Sequence, residues 1–398
     1  MSESPERASR RVTARHARRS HQNPAGLIIG VVASVLVMIL VAGGAVGAVV
    51  WNTFSKRLQA TIELISETDA PPPDIGAIEG GFNILLVGSD TREGENNIDL
   101  SYETGVLNDV NILLHVAQDQ QSAVAISFPR DLWIDDISPC AWRRINTGLS
   151  AGGLGCVAET VNALTGLPIQ FAGIITFMGV IRMADAVGGV EVCVDGPVQD
   201  ENTGIDLKEA GYYELRGNDA LAFLRTRGGV GDGSDLSRVS SQQVYLSSLI
   251  RKVKSDGVLN DPLQLLSIAQ VALDNMTLSG SLADPYTMVQ IALALKNLPL
   301  NRVTFVQWPN HYMSSLPDGE TSTPVETSWD AAEQLLAYIN ADQPFVLAGV
   351  GDDRGSTADP NGQLTEEQQE QLADNSGLPV LDGVTGQTAA DFSCSVAN

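Results

Sequence analysis

Cationic side chains are scarce in this chain of 398 residues, where 24 lysines and arginines face 48 aspartates and glutamates for a net charge of −24. The scarcity is uneven. Six arginines (Arg7, Arg10, Arg11, Arg15, Arg18, Arg19) sit in residues 1–24 against Glu3 and Glu6, which leaves −28 for everything beyond. A body this acidic has no broad basic face to displace counterions, so nucleic acid is excluded as a partner and any polyanionic ligand must be held locally. Histidine is scarcer still: only His115 and His311 lie beyond residue 24, and no C-x-x-C pair occurs. That argues against a zinc site. Also missing are a G-x-x-x-x-G-K-[ST] loop, a G-x-S-x-G elbow and any internal repeat. P-loop nucleotide hydrolysis and ordinary serine hydrolysis are therefore unsupported.

One stretch lacks charge altogether. Ala25–Val50 runs for 26 positions without an ionisable residue, more than the roughly 20 that cross a hydrocarbon core. A cleaved signal peptide is the alternative, but its apolar region is usually about 7–15 residues and no small-x-small cleavage site follows here. We read a membrane span. The arginine tail before it sets the orientation by the positive-inside rule, so that residues beyond about 52 lie outside the cytoplasm. The expected organisation is a basic cytoplasmic tail (1–24), a transmembrane helix (25–51), a linker (52–80), a folded domain (81–340) and an acidic C-terminal tail (341–398). The linker carries a short helix, Trp51 to Ser66, and then Pro71-Pro72-Pro73, a stiff spacer. Beyond Asp342 nine acidic residues face Arg354 alone, which reads as a loosely structured tail. Four cysteines (Cys140, Cys156, Cys193, Cys394) all fall on the exported side, where disulfides form. The favoured pairing joins Cys140 to Cys156 around a short loop and leaves Cys193 to tie down Cys394; four cysteines allow two other pairings, which stay open.

Within the domain, Phe82–Gly88, Val110–Ala117 and Ala123–Phe128 are short apolar runs rich in branched residues, read as buried strands. They deliver Asp90, Asp109 and Arg130 at or near their tips, and strand-end loops are where open α/β sheets bind ligands. Carboxylates there could hold a hard divalent cation; equally, aspartate is a common turn and cap residue. Further strands are read at Val190–Val194 and Arg302–Gln307. Helices are read at Cys156–Leu164, Thr176–Val187 and Trp329–Ile339, and two more open with Asp261-Pro262 and Asp284-Pro285, an N-cap with proline in the first turn. The last two are apolar enough to be ordinary core or to wall a pocket for a lipid tail. The arginines gather once more between Gly211 and Ser255. Arg225 and Arg227 flank a glycine-rich turn (Gly228, Gly229, Gly231, Gly233), and they share a face only if the chain there is extended. On the helix that follows, from Asp235 to about Lys254, Arg238, Gln242 and Tyr245 recur at i, i+4 and i+7. Leu246, Leu249, Ile250 and Val253 are expected opposite them, facing core. Guanidinium forks beside flexible backbone suit phosphate or carboxylate; a surface salt-bridge cluster is the bland alternative.

These pieces, in this order, resemble the LytR-CpsA-Psr family of cell-wall ligases, actinobacterial type, over about residues 80–340. The resemblance is carried by NILLVGSDTR (83–92), the strand led by Asp109, ISFPRD (126–131), RIN (144–146), TVNALTGLPI (160–169), DAVGGVEV (185–192), and GNDALAFLRTR followed by GDGSDLSRVSSQQ. It implies an α/β fold with a central mixed β-sheet flanked by helices, preceded by one transmembrane helix, around a hydrophobic tunnel for a polyprenyl chain. It also implies a phosphotransferase that moves a glycopolymer from a polyprenyl-pyrophosphate carrier to a peptidoglycan hydroxyl, the muramic acid 6-position, with Mg2+ or Mn2+ as cofactor. In that scheme Asp90 and Asp109 serve the metal and the attacking hydroxyl, Arg130, Arg225 and Arg227 grip the pyrophosphate, and Arg238 and Gln242 complete the polar lining. Leu107 stands where the family pattern has arginine, and Ser241 where its Arg-Gln-Gln motif begins. A binding or scaffold protein for lipid-linked precursors, or a polyprenyl-pyrophosphate hydrolase, are the alternatives.

Overall fold

The computed structural model describes residues 61–62, 80–90, 106–141, 143–255, 262–362 and 375–398. The chain divides into two units, 1–53 and 54–398, and all of the described residues belong to the second. The span expected at 25–51 lies outside the described residues, among which no helix is long and apolar enough to cross a membrane. Most of the linker helix expected from Trp51 to Ser66 lies outside them too. Where the chain is described there, Thr61–Ile62 forms a strand, β1, instead of a helix.

In chain order there follow β2 (Phe82–Ser89), β3 (Asn108–Val116), β4 (Ala123–Phe128), α1 (Gly148–Thr165), β5 (Phe171–Ile175), α2 (Phe177–Ala186), β6 (Val190–Val194), β7 (Val198–Asp200), β8 (Ile205–Leu207) and β9 (Gly211–Leu215). Next come α3 (Gly217–Arg225), α4 (Asp235–Ser255), α5 (Pro262–Asn275), β10 (Met276–Ser279), α6 (Pro285–Asn297), β11 (Val303–Gln307), β12 (Asn310–Tyr312), β13 (Val325–Thr327) and α7 (Trp329–Asn340). The last strands are β14 (Val346–Leu347), β15 (Ser356–Ala358), β16 (Val380–Leu381), β17 (Gly386–Thr388) and β18 (Ser393–Ser395).

Eight strands make one mixed sheet in the order β1-β10-β5-β2-β3-β4-β11-β17. The pairs β2·β5 and β4·β11 are parallel, whereas β2·β3 and β3·β4 are antiparallel. The central strands are largely apolar because helices cover both faces. In β4, Val124, Ile126 and Phe128 enter one core with α1 and α7, while Ala123 and Ala125 enter another on the opposite face with Phe305 and α6. Period-2 alternation thus splits a continuous apolar run between two cores. Trp308, fully buried just past β11, stacks 5.1 Å from Phe128 and donates its indole N–H to Thr327 Oγ1 at 3.0 Å. Local signals set the helix ends. Gly166 closes α1 in the left-handed conformation (φ 69°), Thr176 caps α2 by accepting from the Gly179 N–H, and Asp284 caps α6 by accepting from the Thr287 N–H.

Residues 341–398 differ from the loose tail expected of them. Their acidic composition is real, but β17 extends the main sheet beside β11, and β15 and β18 build a second sheet, β15-β18-β6-β9. The strand sequences GQT and SCS are polar yet wholly buried. They meet a matching polar stripe on α4: Ser241 Oγ lies 2.8 Å from Ser395 Oγ, and Gln387 Nε2 donates to Ser247 Oγ at 2.7 Å, while Ser240 Oγ bonds Asp352 Oδ2, ahead of β15, at 2.6 Å. Arg251 lower on the same helix donates to the carbonyls of Ala389 and Asp391 at 3.1 and 2.6 Å. Both expected disulfides are present, Cys140–Cys156 and Cys193–Cys394.

Candidate functional site

On the second face of the sheet the core does not continue to the strand tips. Along β2, Phe82 and Ile84 are core, and the next residues on that side, Leu86 and Gly88, line a cavity of about 580 Å3. Its far walls come from α2 (Phe177, Val180, Met183), α3 (Leu221, Leu224) and α4 (Tyr245, Leu246, Leu249). Leu246, Leu249, Ile250 and Val253 pack against core as expected. Leu246 and Leu249 also line the same cavity as Arg238 and Gln242, however, instead of lying opposite them, and the buried opposite face of α4 is the serine-rich stripe beneath the C-terminal strands. Helices α5 and α6 supply none of the described lining; Ile291, Ala294 and Leu298 are core instead.

The cavity is polar where the strands end. Pro129 stops β4, so Arg130 leaves the sheet at its tip, next to Asp109 near the start of β3. Arg130 Nη1 lies 2.6 Å from Asp109 Oδ1. Burial alone would depress the Arg130 guanidinium, but Asp109 and then Asp235 outweigh it and hold it above its ordinary value. Arg225 is the last residue of α3, and Thr226 is extended (φ −62°, ψ 139°), the condition under which Arg225 and Arg227 share a face. Both line the cavity, as do Arg238 and Gln242. Arg225 lies over the Phe177 ring, 4.3 Å from its centroid, a cation–π contact that fixes its direction. Arg238 is almost completely buried and donates to the Asp109 carbonyl at 2.9 Å. Burial lowers its guanidinium, an effect that Asp235 opposes and the like charge of Arg227 reinforces. Gln242 Nε2 donates to the Leu224 carbonyl at 2.7 Å, joining α4 to α3.

The glycine-rich turn plays a different part from the one its flexibility suggests. Asp200, at the end of β7, accepts from the Thr226 hydroxyl at 2.8 Å and from the Arg227 and Gly228 N–H groups at 3.3 and 3.2 Å. These amides are satisfied from within the protein and do not offer an anion nest. Burial would raise the Asp200 carboxyl; the Thr226 hydroxyl and the backbone donors outweigh it and bring it below the usual range. Gly231 has φ 51°, and an added Cβ would sit 2.1 Å from the Arg354 carbonyl oxygen, so the turn also requires glycine to pass beneath the C-terminal segment.

Asp90 stands apart from the arginines. It sits one residue past β2, its Oδ1 accepting from the Leu107 N–H at 3.0 Å, and it is not among the lining residues. Since Ser89 pairs with Asn108, Asp90 and Asp109 occupy ends of adjacent antiparallel strands, and of the two Asp109 lines the cavity. For each carboxylate the side-chain contacts found engage Oδ1 only. Two hard oxygen donors at adjacent strand ends are of the type that would hold Mg2+ or Mn2+. Asp200 and Asp235 are taken up by the hydrogen bonds and ion pairs around them. Neither His115 nor His311 lines the cavity. Ser241 is buried against Ser395 and does not face the cavity, so arginine's absence at that position removes no cation from this wall.

Sequence reasoning missed Asp235, Asp200 and Phe177. Asp235 precedes Arg238 by three positions on a helix, a spacing that signals an ion pair. Asp200 and Phe177 reach the site from distant segments and carry no local signal.

Residues 52–336 match the model of the LytR_cpsA_psr family. The chain is similar to the cell wall biosynthesis protein LcpA of Corynebacterium glutamicum, with 26% identity over 337 residues that cover 76% of this chain and 62% of that protein. It thus spans less than two thirds of that relative's length. It is also similar to the polyisoprenyl-teichoic acid–peptidoglycan teichoic acid transferase TagT of Bacillus subtilis, 24% identical over 300 residues covering 73% of this chain and 89% of that protein. Its fold is shared with the LytR-Csp2A-Psr enzyme from Actinomyces oris, at a TM-score of 0.52 and 23% identity over 70% of this chain and 95% of the other.

Proposed function

We propose that this chain, which belongs to the LytR_cpsA_psr family, transfers a glycopolymer from a polyprenyl-pyrophosphate carrier to a peptidoglycan hydroxyl. One observation carries the donor assignment: a single cavity joins four arginines at its polar end to an apolar interior walled by β2, β3, α2, α3 and α4. Such a space fits a ligand with a polyanionic head and a long hydrocarbon tail. The names of the corynebacterial and bacillar relatives supply the cell-wall context. A membrane anchor at 25–51, with the domain outside, would bring the cavity to the lipid carrier.

In this scheme Arg225, Arg227, Arg238 and Arg130 bind the pyrophosphate oxygens and align the bridging bond. Asp109 takes the proton of the acceptor hydroxyl as that oxygen attacks the sugar-bearing phosphorus. The new P–O bond forms as the bridging P–O bond breaks, and polyprenyl phosphate leaves with its added charge on the arginines. A Mg2+ or Mn2+ ion held by Asp90 and Asp109 would supply Lewis-acid charge to the phosphate oxygens. Binding without turnover is the alternative function, favoured by the 2.6 Å ion pair that occupies Asp109 with Arg130.

The protein, given a fluorescent polyprenyl-pyrophosphate glycan, peptidoglycan and Mg2+, is expected to yield labelled wall material and free polyprenyl phosphate. Tight lipid retention with no product in either metal would sink the transferase and leave the binding function, and lipid release without wall labelling would mark a hydrolase. Leu249→Trp, which fills the cavity beside Tyr245, is expected to weaken polyprenyl phosphate retention about tenfold, or 1.4 kcal/mol. Retention equal to the wild type would place the tail elsewhere.

A further inference from the structure

Asp235, the first residue of α4, is the point where the arginines meet. Its side chain is 7% exposed, and its Oδ1 lies 2.6 Å from Arg238 Nη2, 2.9 Å from Arg227 Nη2 and 3.9 Å from Arg130 Nε. Its Oδ2 accepts the Arg130 backbone N–H at 3.3 Å. These three guanidiniums start from separate parts of the chain: a strand tip, a turn and a helix. Like charges packed this closely repel, and flexible side chains would splay toward solvent without a shared counter-ion. One carboxylate draws them together without neutralising them: against the four arginines of the cavity stand Asp109, Asp235 and the lining Asp200, while Asp131, 4.0 Å from Arg130 Nε, is shared with Arg144. The set keeps a net positive charge for an incoming anion.

Asp235 does not line the cavity itself, so it acts through the arginines. A buried anion behind a phosphate site has two opposed effects. It weakens the field felt by the bound phosphate, and it fixes the direction of each fork. Fixed donors favour the transition state, in which the geometry at phosphorus is specified most tightly and charge develops along a defined direction.

We propose that Asp235 is a positioning residue, which converges Arg130, Arg227 and Arg238 on the pyrophosphate and improves alignment at some loss of donor affinity. This rests on the transferase function proposed above. The conservative variant is Asp235→Asn, which keeps the shape and one acceptor oxygen but removes the charge; truncation to alanine would also remove the acceptor that Arg227 and Arg238 share.

The test has two readouts on the full chain. Binding of inorganic pyrophosphate, measured by calorimetry with Mg2+, is expected to tighten about three- to tenfold in D235N as the local field rises. In glycan transfer, kcat is expected to fall about ten- to a hundredfold while KM for the donor falls as well. D235E restores the charge and is expected to return pyrophosphate affinity to the wild-type range. A D235N protein that binds pyrophosphate more weakly, or loses kcat with KM unchanged, would overturn the proposal in favour of a merely structural role. If the wild type binds pyrophosphate but transfers nothing, the transferase function fails while the affinity comparison still decides the role of Asp235. If the wild type binds no pyrophosphate, both fail.

Discussion

Alanine in place of Arg227 or Arg130 is expected to reduce glycan transfer about a hundred- to a thousandfold, the loss that follows removal of one preorganised donor to a developing oxyanion. The two variants should differ in character. Arg227 contributes charge through a single fork, held 2.9 Å from Asp235, so R227A removes grip and little else. Arg130 also pairs with Asp109 at 2.6 Å, and R130A therefore frees the carboxylate we assign as proton acceptor as well as removing a cation. The double variant should fall at least about tenfold short of the product of the two measured losses, because groups that act on one phosphate and share one counter-ion are not independent. Arg227→Lys keeps the charge but presents no planar fork, and is expected to recover no more than about a tenth of the wild-type rate. Single-turnover transfer at saturating donor, with melting curves to show that each variant is folded, measures all of this. R227A working within about threefold of the wild type would remove Arg227 from the site.

How far this site could be read from the chain alone depended on whether a residue's role is set by its neighbours in sequence. The strand tips were legible because Ala123–Phe128 is an apolar run, interrupted only by Ser127, that proline ends. The cap at Thr176, the stop at Gly166 and the shared side of Arg238, Gln242 and Tyr245 on α4 follow from spacing in the same way. Arg225 and Arg227 could be named but not aimed, since their shared direction depends on the extended Thr226 and on Phe177, contributed by α2. The hydrophobic side of α4 was misjudged because the helix has two buried faces, one apolar against the cavity and one of serines and glutamines against the C-terminal strands. A hydrophobic stripe is visible in sequence, whereas a polar stripe that will be buried looks like a surface. The same blindness applies to GQT and SCS, whose burial needs partners that lie about 140–150 residues away on α4.

That C-terminal segment leads to the second large effect, this time on stability. Cys193 and Cys394 are register partners in the parallel pair β6·β18, 201 positions apart in sequence, whereas Cys140 and Cys156 are separated by 16. If a disulfide acts mainly by limiting the unfolded chain, the longer loop is worth about 5 kcal/mol and the shorter about 3 kcal/mol. The difference should be amplified by what lies beyond Cys394. Val396 accepts from the Gly231 N–H at 2.9 Å, Asn398 Nδ2 donates to the Gly228 carbonyl at 2.8 Å, and the Ala397 N–H donates to Asp195 Oδ1 at 2.7 Å. The covalent link therefore keeps a clasp closed over the back of the turn that carries Arg227. C193S/C394S is expected to lower the melting temperature by roughly 10 °C and to speed amide exchange at Gly231. C140S/C156S should cost about half as much and leave that amide protected. Activity at 25 °C should drop far less than in R227A, because Asp200 and Asp235 still hold the turn and the guanidinium from the other side. Scanning calorimetry and hydrogen exchange on the two double variants decide the matter: equal melting points, or unchanged exchange at Gly231 in C193S/C394S, would mean that the C-terminal strands hold the turn without their covalent tie.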